Sequence, residues 1–254
     1  WTTDRPLYGL LRQDLDLVDL YAFREVEALA ADYIEAMRRQ QPEGPYHLVG
    51  FCFGGLVAYE MAHQLRDVGE EVRQLLLIDT RSPLVQASGE SAGIGRPARE
   101  KGVGDHLRQL SEQGASYLQT WARERLAFEG RRWLQKRREW AGRAYRLAGR
   151  EMPLHLHRDF TRRADSTAAK RYYAKTYPGS VTLMRGSETP YRRFKENGEP
   201  DPLGGWEGIV TGELRLVEVP GHHGRIFEEP NVSTLAQRIA ACLEQPVAQL
   251  SESL

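Results

Sequence analysis

Residues Tyr46–Leu65 read YHLVGFCFGGLVAYEMAHQL, and the interpretation of this stretch decides the fold. An apolar run ends in Gly50-Phe51-Cys52-Phe53-Gly54-Gly55 and gives way to a helical pattern through Leu56, Tyr59, Met61, Ala62 and Leu65. Small residues spaced in twos around one nucleophilic side chain form the sharp strand-to-helix bend written G-x-S-x-G. Cysteine occupies the place where that pattern carries serine. Three readings of Cys52 compete: a reactive thiol, a small buried hydrophobe, or a scaffold whose chemistry has been lost.

The physics of such a bend favours the first. Its glycines permit a strained turn that pushes the side chain out of the sheet edge and lets the helix approach the strand. The positive end of the helix dipole then lies beneath the sulfur and favours thiolate. The backbone N–H of Phe53 is placed to meet an oxyanion forming on a substrate carbonyl. A nucleophile of this type needs a base and a group to orient the base. His222 and His223, in VEVPGHHGRIFEEP, are the base candidates. Asp79, ending VRQLLLID, is the acid candidate, and Glu188, beyond SVTLMRG, competes with it.

Working outward, the spacing of Val26, Leu29, Ala30, Tyr33, Ile34 and Met37 predicts an amphipathic helix over residues 24–40. Leu7 to Leu11 is a short apolar run with the look of a strand. YHLVGF and Val72 to Asp79 read as buried strands, and Gly69 is placed to close the helix between them. The later segments SVTLMRG and ELRLVEV read as strands, and VSTLAQRIAACL as a helix. Its inward stripe, Val232, Leu235, Ala236, Ile239 and Leu243, places Cys242 in the core. Strands alternating with helices imply a mostly parallel sheet covered by helices, an α/β fold.

The middle of the chain departs from this pattern. Ser, Gly, Pro and Ala accumulate over 81–100, and residues from about 104 to 176 are helical and strongly charged. Leu126, Trp133, Trp140 and Leu147 recur every seven residues, and Trp121, Trp133 and Trp140 are expected to pack. The expected organisation is one domain over 1–254, with a core of 1–80 and 177–254 and a helical lid of about 81–176. Such a lid would cover the C-terminal strand edges, where open α/β sheets bind ligands. His155 and His157 fall in the lid and are expected to be solvated, while His47 and His63 receive no role.

Composition excludes several classes. Acidic and basic residues number 35 each, so the chain lacks the basic excess of a nucleic-acid binder. No apolar run is long enough to cross a bilayer. Two cysteines, Cys52 and Cys242, make no disulfide framework, and no Cys/His cluster has zinc spacing. A cytoplasmic, reducing setting is expected.

Four segments in order, Gly50–Leu65, the strand ending in Asp79-Thr80, YPGSVTLMRGSE and VPGHHGRIFEEPNVSTLA, together resemble a thioesterase domain of non-ribosomal peptide and polyketide synthases. The likeness covers residues 5–80 and 177–243 and implies the α/β-hydrolase fold. It implies a triad of Cys52 as nucleophile, Asp79 as acid and His223, the last residue of V-P-G-x-H, as base. Most members carry serine at the Cys52 position. Members also begin with further strands and a loop that donates a second oxyanion N–H, upstream of the region resembling DRPLYGL. Those strands are expected to be missing here, so only Phe53 is assigned to the oxyanion hole.

The same likeness implies a substrate: an acyl or peptidyl group delivered on the phosphopantetheine arm of a carrier-protein partner, with no permanently bound cofactor and no metal. Between Trp121 and Arg150, ten Arg or Lys residues face three Glu. That run is either a solvated helix face or a docking surface for an acidic carrier domain. The implied activity is chain release by hydrolysis, aminolysis or cyclisation. The alternatives are a stand-alone editing thioesterase, a non-catalytic α/β-hydrolase-fold binding module, and a cysteine hydrolase of small esters or lactones.

Overall fold

The computed structural model describes residues 6–11, 24–82, 152–190 and 198–244, with part of 129–150. The chain forms two compact units, Trp1–Glu90 with Arg163–Leu254, and Ser91–Arg162.

Among the described residues, the first unit has four parallel strands in the order β1-β2-β3-β4: β1 (Tyr46–Phe51), β2 (Val72–Ile78), β3 (Val181–Gly186) and β4 (Leu214–Val219). Helix α1 (Val26–Arg38) precedes β1, and α2 (Phe53–Asp67) links β1 to β2. Helix α3 (Leu154–Arg171) precedes β3, and α4 (Asn231–Glu244) follows β4.

The run Leu75-Leu76-Leu77-Ile78 shows why β2 is apolar without alternation. Leu75 and Leu77 enter one core with α1 and α2, while Leu76 and Ile78 enter a second core with α4. A strand buried on both faces has no polar side to present. The two cores are unequal. The larger takes in Leu56, Tyr59, Leu65, Tyr177 and Trp206, and the smaller gathers Met184, Val219, Ile226, Leu235 and Cys242.

Helix α2 ends as Gly69 leads one to expect. Gly69, at φ 83°, donates to the Arg66 carbonyl, and the Glu70 N–H donates to that of Leu65. This pair of bonds closes the last turn, and the left-handed backbone it requires is nearly free only to glycine. The start of α2 is shaped by close approach. A Cβ at Gly50 would strike the main chain of Gly54 and Gly55, and one at Gly55 would strike the Thr80 side chain.

Three expectations need correction. Residues 6–11 form no strand; Leu7, Tyr8 and Leu11 are exposed and only Leu10 packs against the larger core, so the run has no ladder partner among the described residues. The second strand stops at Ile78, because Asp79 turns out of it with φ 46°. In the second unit, Trp133 and Trp140 are exposed rather than packed, and the Arg137 guanidinium lies 4.8 Å above the Trp133 ring. An arginine-rich helix can cover an indole face with cations in place of an apolar core.

Helical residues do occur between 129 and 147 and through α3, as the middle segment's pattern predicts. Trp121, Leu126 and residues 83–128 lie outside the described residues. Among the described residues, no helix is long and apolar enough to cross a membrane.

Candidate active site

The parallel register brings the strand ends to one edge. Phe51 pairs with Ile78, Ile78 with Met184, and Gly186 with Val219. Cys52, Asp79, the turn after Gly186 and the loop after Val219 therefore leave the sheet side by side. Cys52 caps α2 with φ 53° and ψ −118°, a backbone conformation that is costly for a residue with a side chain. Its N–H still donates to the Ile78 carbonyl at 2.9 Å, holding the bend to the neighbouring strand.

Asp79 is the second left-handed residue at this edge, and its side chain is 4% exposed. Its Oδ2 lies 3.0 Å from Nδ1 of His223. The same oxygen accepts a hydrogen bond from the Thr189 hydroxyl at 3.0 Å, and Oδ1 accepts the Gly186 N–H at 3.3 Å. The His223 imidazole is close enough to Cys52 for each group to shift the other's ionisation. The Phe51 ring, at the end of β1, stacks on the His223 imidazole with centroids 4.7 Å apart. Phe227 meets Phe51 edge-on at 4.8 Å, completing an aromatic wall that limits where the imidazole can swing.

The electrostatics follow from these contacts. Burial raises the Cys52 thiol, but the His223 hydrogen bond and charge, the Phe53 N–H and the Arg81 charge outweigh it and bring the thiol below its ordinary range. His223 is pushed up to about 9, chiefly by its bond to Asp79 and then by Cys52, against the opposing effect of burial. Burial also raises Asp79, yet bonds from His223, Thr189 and Gly186 hold its carboxyl below the usual range. An acidified thiol, a strengthened base and a buried carboxylate coupled in this order can hold a thiolate–imidazolium pair near neutral pH.

The alternatives left open by the residues are separated by this geometry. Glu188 is exposed, and its N–H serves only to bond the Gly221 carbonyl at 3.0 Å. His222 turns inward on its own loop, where Nδ1 accepts the Gly224 N–H at 3.1 Å. The backbone N–H of Phe53 helps to lower the Cys52 thiol. Cys242 is buried among apolar side chains of α4, and burial pushes its thiol up, opposite to Cys52. His63, which the sequence leaves without a role, is buried between Tyr59 and Tyr177.

Sequence reasoning missed Thr189 and Phe51. The only signal for Thr189 was a hydroxyl three residues past the end of β3, and that for Phe51 an aromatic just ahead of Cys52. A cavity of about 160 Å³ opens beside the acid and the imidazole. Leu77, Leu183, Leu203 and Trp206 form its apolar wall, and Asp79, Arg81 and His223 lie at its polar side; Cys52 does not line it.

Comparison with known proteins agrees with this architecture. The thioesterase domain family matches residues 11–243. The chain is 25% identical over 247 residues to a dimodular nonribosomal peptide synthase of Bacillus subtilis (strain 168), covering 96% of this chain and 9% of that protein. It is 37% identical over 78 residues to the polyketide synthase PksR of the same organism, covering 31% of this chain and 3% of that one. Among solved structures, the NocB thioesterase domain in covalent complex with a fluorophosphonate nocardicin G analog is similar, with TM-score 0.53 and 26% identity over 87% of this chain and 76% of that one. The chain thus spans a small fraction of the curated relatives it matches. With a parallel sheet, a strand–Cys–helix bend and a family match over nearly its whole length, the chain belongs to the thioesterase domain family and has the α/β-hydrolase fold.

Proposed function

We propose that this domain is a chain-releasing thioesterase that receives an acyl or peptidyl group on Cys52 from the phosphopantetheine thioester of a carrier protein. The observation that carries the reading is the meeting at one sheet edge of Cys52, at its strained bend, with a His223 imidazole that lies 3.0 Å from the buried Asp79 carboxylate and is electrostatically coupled to the thiol. Membership of the thioesterase domain family supports the reaction class. The names of the synthases that contain similar segments support a carrier-bound substrate. In this reading the helical segment between β2 and β3 is the lid.

In the first half-reaction, the Cys52 thiolate attacks the thioester carbonyl, and the Phe53 N–H stabilises the oxyanion that forms. The carbon–sulfur bond to pantetheine breaks, and His223 gives its proton to the departing thiolate. One thioester replaces another, so the transfer is nearly balanced in energy. Acylation also removes the negative sulfur that helped keep His223 protonated. The now neutral imidazole is free to take a proton from water, an amine or a substrate hydroxyl as that nucleophile attacks. Collapse of the second intermediate breaks the bond to Cys52 and frees the product.

The sulfur matters for the second step. A serine would store the acyl group as an oxoester, lower in energy and less reactive toward amines. Cysteine keeps it activated for aminolysis or ring closure, while hydrolysis stays open. Intact-protein mass spectrometry after mixing with acyl-pantetheine thioesters tests the proposal. An acyl adduct on the unmodified protein that is absent from Cys52→Ala supports it, and the lack of any Cys52-dependent adduct overturns it. The released products then separate water, amine and ring closure, and turnover of short stalled acyl groups alone would indicate an editing enzyme.

A further inference from the structure

The Thr189 hydroxyl closes a ring around the acid–base pair. It accepts a hydrogen bond from the main-chain N–H of His223 at 3.2 Å and donates to Oδ2 of Asp79 at 3.0 Å. That same Oδ2 lies 3.0 Å from Nδ1 of His223. A hydroxyl has one proton to give, so with the Asp79 carboxylate as acceptor its lone pairs face the His223 N–H. The carboxylate is therefore held to two points of one residue, its ring and its backbone, through a single intermediary.

The turn carrying Thr189 is built for this. Thr189 N–H donates to the Gly186 carbonyl at 2.9 Å, and the Ser187 and Glu188 N–H groups bond the Val219 and Gly221 carbonyls at 2.8 and 3.0 Å. A Cβ at Gly186 would come within 2.7 Å of the Thr189 hydroxyl. The end of β3 is thus laced to the loop that carries His223, with the hydroxyl at the crossing point.

We propose that Thr189 is a positioning residue that sets the Asp79–His223 geometry and, through it, the ionisation of Cys52. This rests on the roles given to those three residues under the proposed function. Thr189 acts through the pair and does not touch the reacting sulfur. Losing its hydroxyl leaves the His223 loop tied to Asp79 by the imidazole alone, so the ring samples orientations that do not reach the sulfur. Groups that orient a functional imidazole from behind in this way are worth about 10- to 100-fold in metal sites.

The test uses Thr189→Val, which keeps the shape without the hydroxyl, and Thr189→Ser, which keeps the hydroxyl. Two readouts are followed: acylation of Cys52 by an acyl-pantetheine thioester, and the pH dependence of its alkylation by iodoacetamide. The proposal expects Thr189→Val to slow acylation by roughly tenfold or more at saturating substrate with little change in KM. It also expects the alkylation midpoint of Cys52 to move to higher pH, because the imidazolium no longer faces the sulfur steadily. Thr189→Ser keeps the unmodified rate and midpoint.

An unmodified protein that forms the Cys52 adduct while Thr189→Val acylates and alkylates just as it does would overturn the positioning role alone. A folded Thr189→Ser protein that acylates roughly tenfold or more slowly than the unmodified one would do the same, even if the valine variant failed to fold. If the unmodified protein forms no Cys52 adduct, the proposed function fails and takes this role with it.

Discussion

Gly55, in the first turn of α2, faces the Thr80 hydroxyl with no room for a side chain between them. Thr80 is fixed in turn: its hydroxyl donates to the Ile78 carbonyl at 3.1 Å, and its own carbonyl accepts the Trp206 indole N–H at 3.1 Å. The helix that begins at the Cys52 bend is therefore seated directly on the residue that follows Asp79. Gly55→Ala is expected to destabilise the fold by about 1–3 kcal/mol, the usual cost of overpacking. Gly54, one residue earlier, has open space where its Cβ would lie. Gly54→Ala should hold stability or raise it by up to about 1 kcal/mol, since alanine is the better helix former. Urea unfolding of the two variants separates them.

Asp79→Asn keeps the shape of the acid and removes its charge. His223 loses the largest influence holding it near 9 and falls in pKa. A rate loss of at least about a hundredfold in Cys52 acylation is expected, because the base loses both its tautomer and its orientation. Glu188→Gln, at an exposed side chain, leaves the rate unchanged. Equal losses in the two variants would remove Asp79 from its assigned role.

The thiol and imidazole shifts have opposite signs and define a window. Cys52 is lowered and His223 is raised to about 9, so the ion pair persists from below the ordinary thiol range up to about pH 9. A raised folded-state pKa stabilises most below the unfolded histidine value, and that contribution is lost as pH rises through about 9. Asp79, lowered on folding, contributes above the ordinary carboxylate pKa and loses that contribution as pH falls through its depressed value. Iodoacetamide should therefore alkylate Cys52 well below the pH needed for Cys242, whose thiol is raised by burial. Cys52→Ala should lower the pKa of His223, measured by NMR titration, because one of the two groups that raise it is gone.

Under the proposed function, Cys52→Ser would convert the acyl intermediate from thioester to oxoester without changing the bend. The hydroxyl ionises far less readily than the thiol, so slower acylation is expected. The acyl-enzyme should also persist longer, with the ratio of aminolysis to hydrolysis falling. Burst kinetics with an amine acceptor present read both effects. An unchanged product ratio would show that the sulfur has no bearing on how the chain is released.

The Tyr172 hydroxyl donates to Oε2 of buried Glu60 at 2.7 Å, while the Gln64 amide N–H donates to Oε1 at 2.9 Å. Tyr172→Phe leaves that buried carboxylate short of a donor. A loss of about 1–3 kcal/mol in chemical denaturation is expected, with Cys52 alkylation in the native protein unchanged.

Local physics made much of this protein legible from its residues. The helix of Val26–Arg38, the strands of Tyr46–Phe51, Val181–Gly186 and Leu214–Val219, and the close of α2 at Gly69 all follow from hydrophobic period and glycine stereochemistry. Those signals act over a few residues and need no partner. Leu7 to Leu11 carried a similar apolar signal and forms no strand, since a strand requires a neighbour that its own residues do not specify. The choice between Asp79 and Glu188, and between His222 and His223, was equally closed to the residues alone, though the family likeness pointed to Asp79 and His223. The Asp79–His223 contact joins positions 144 residues apart. Only the parallel register of β2, β3 and β4 decides which carboxylate, hydroxyl and imidazole leave the sheet together. That register is settled by packing on both faces of the sheet, a property of the assembled cores rather than of any one segment.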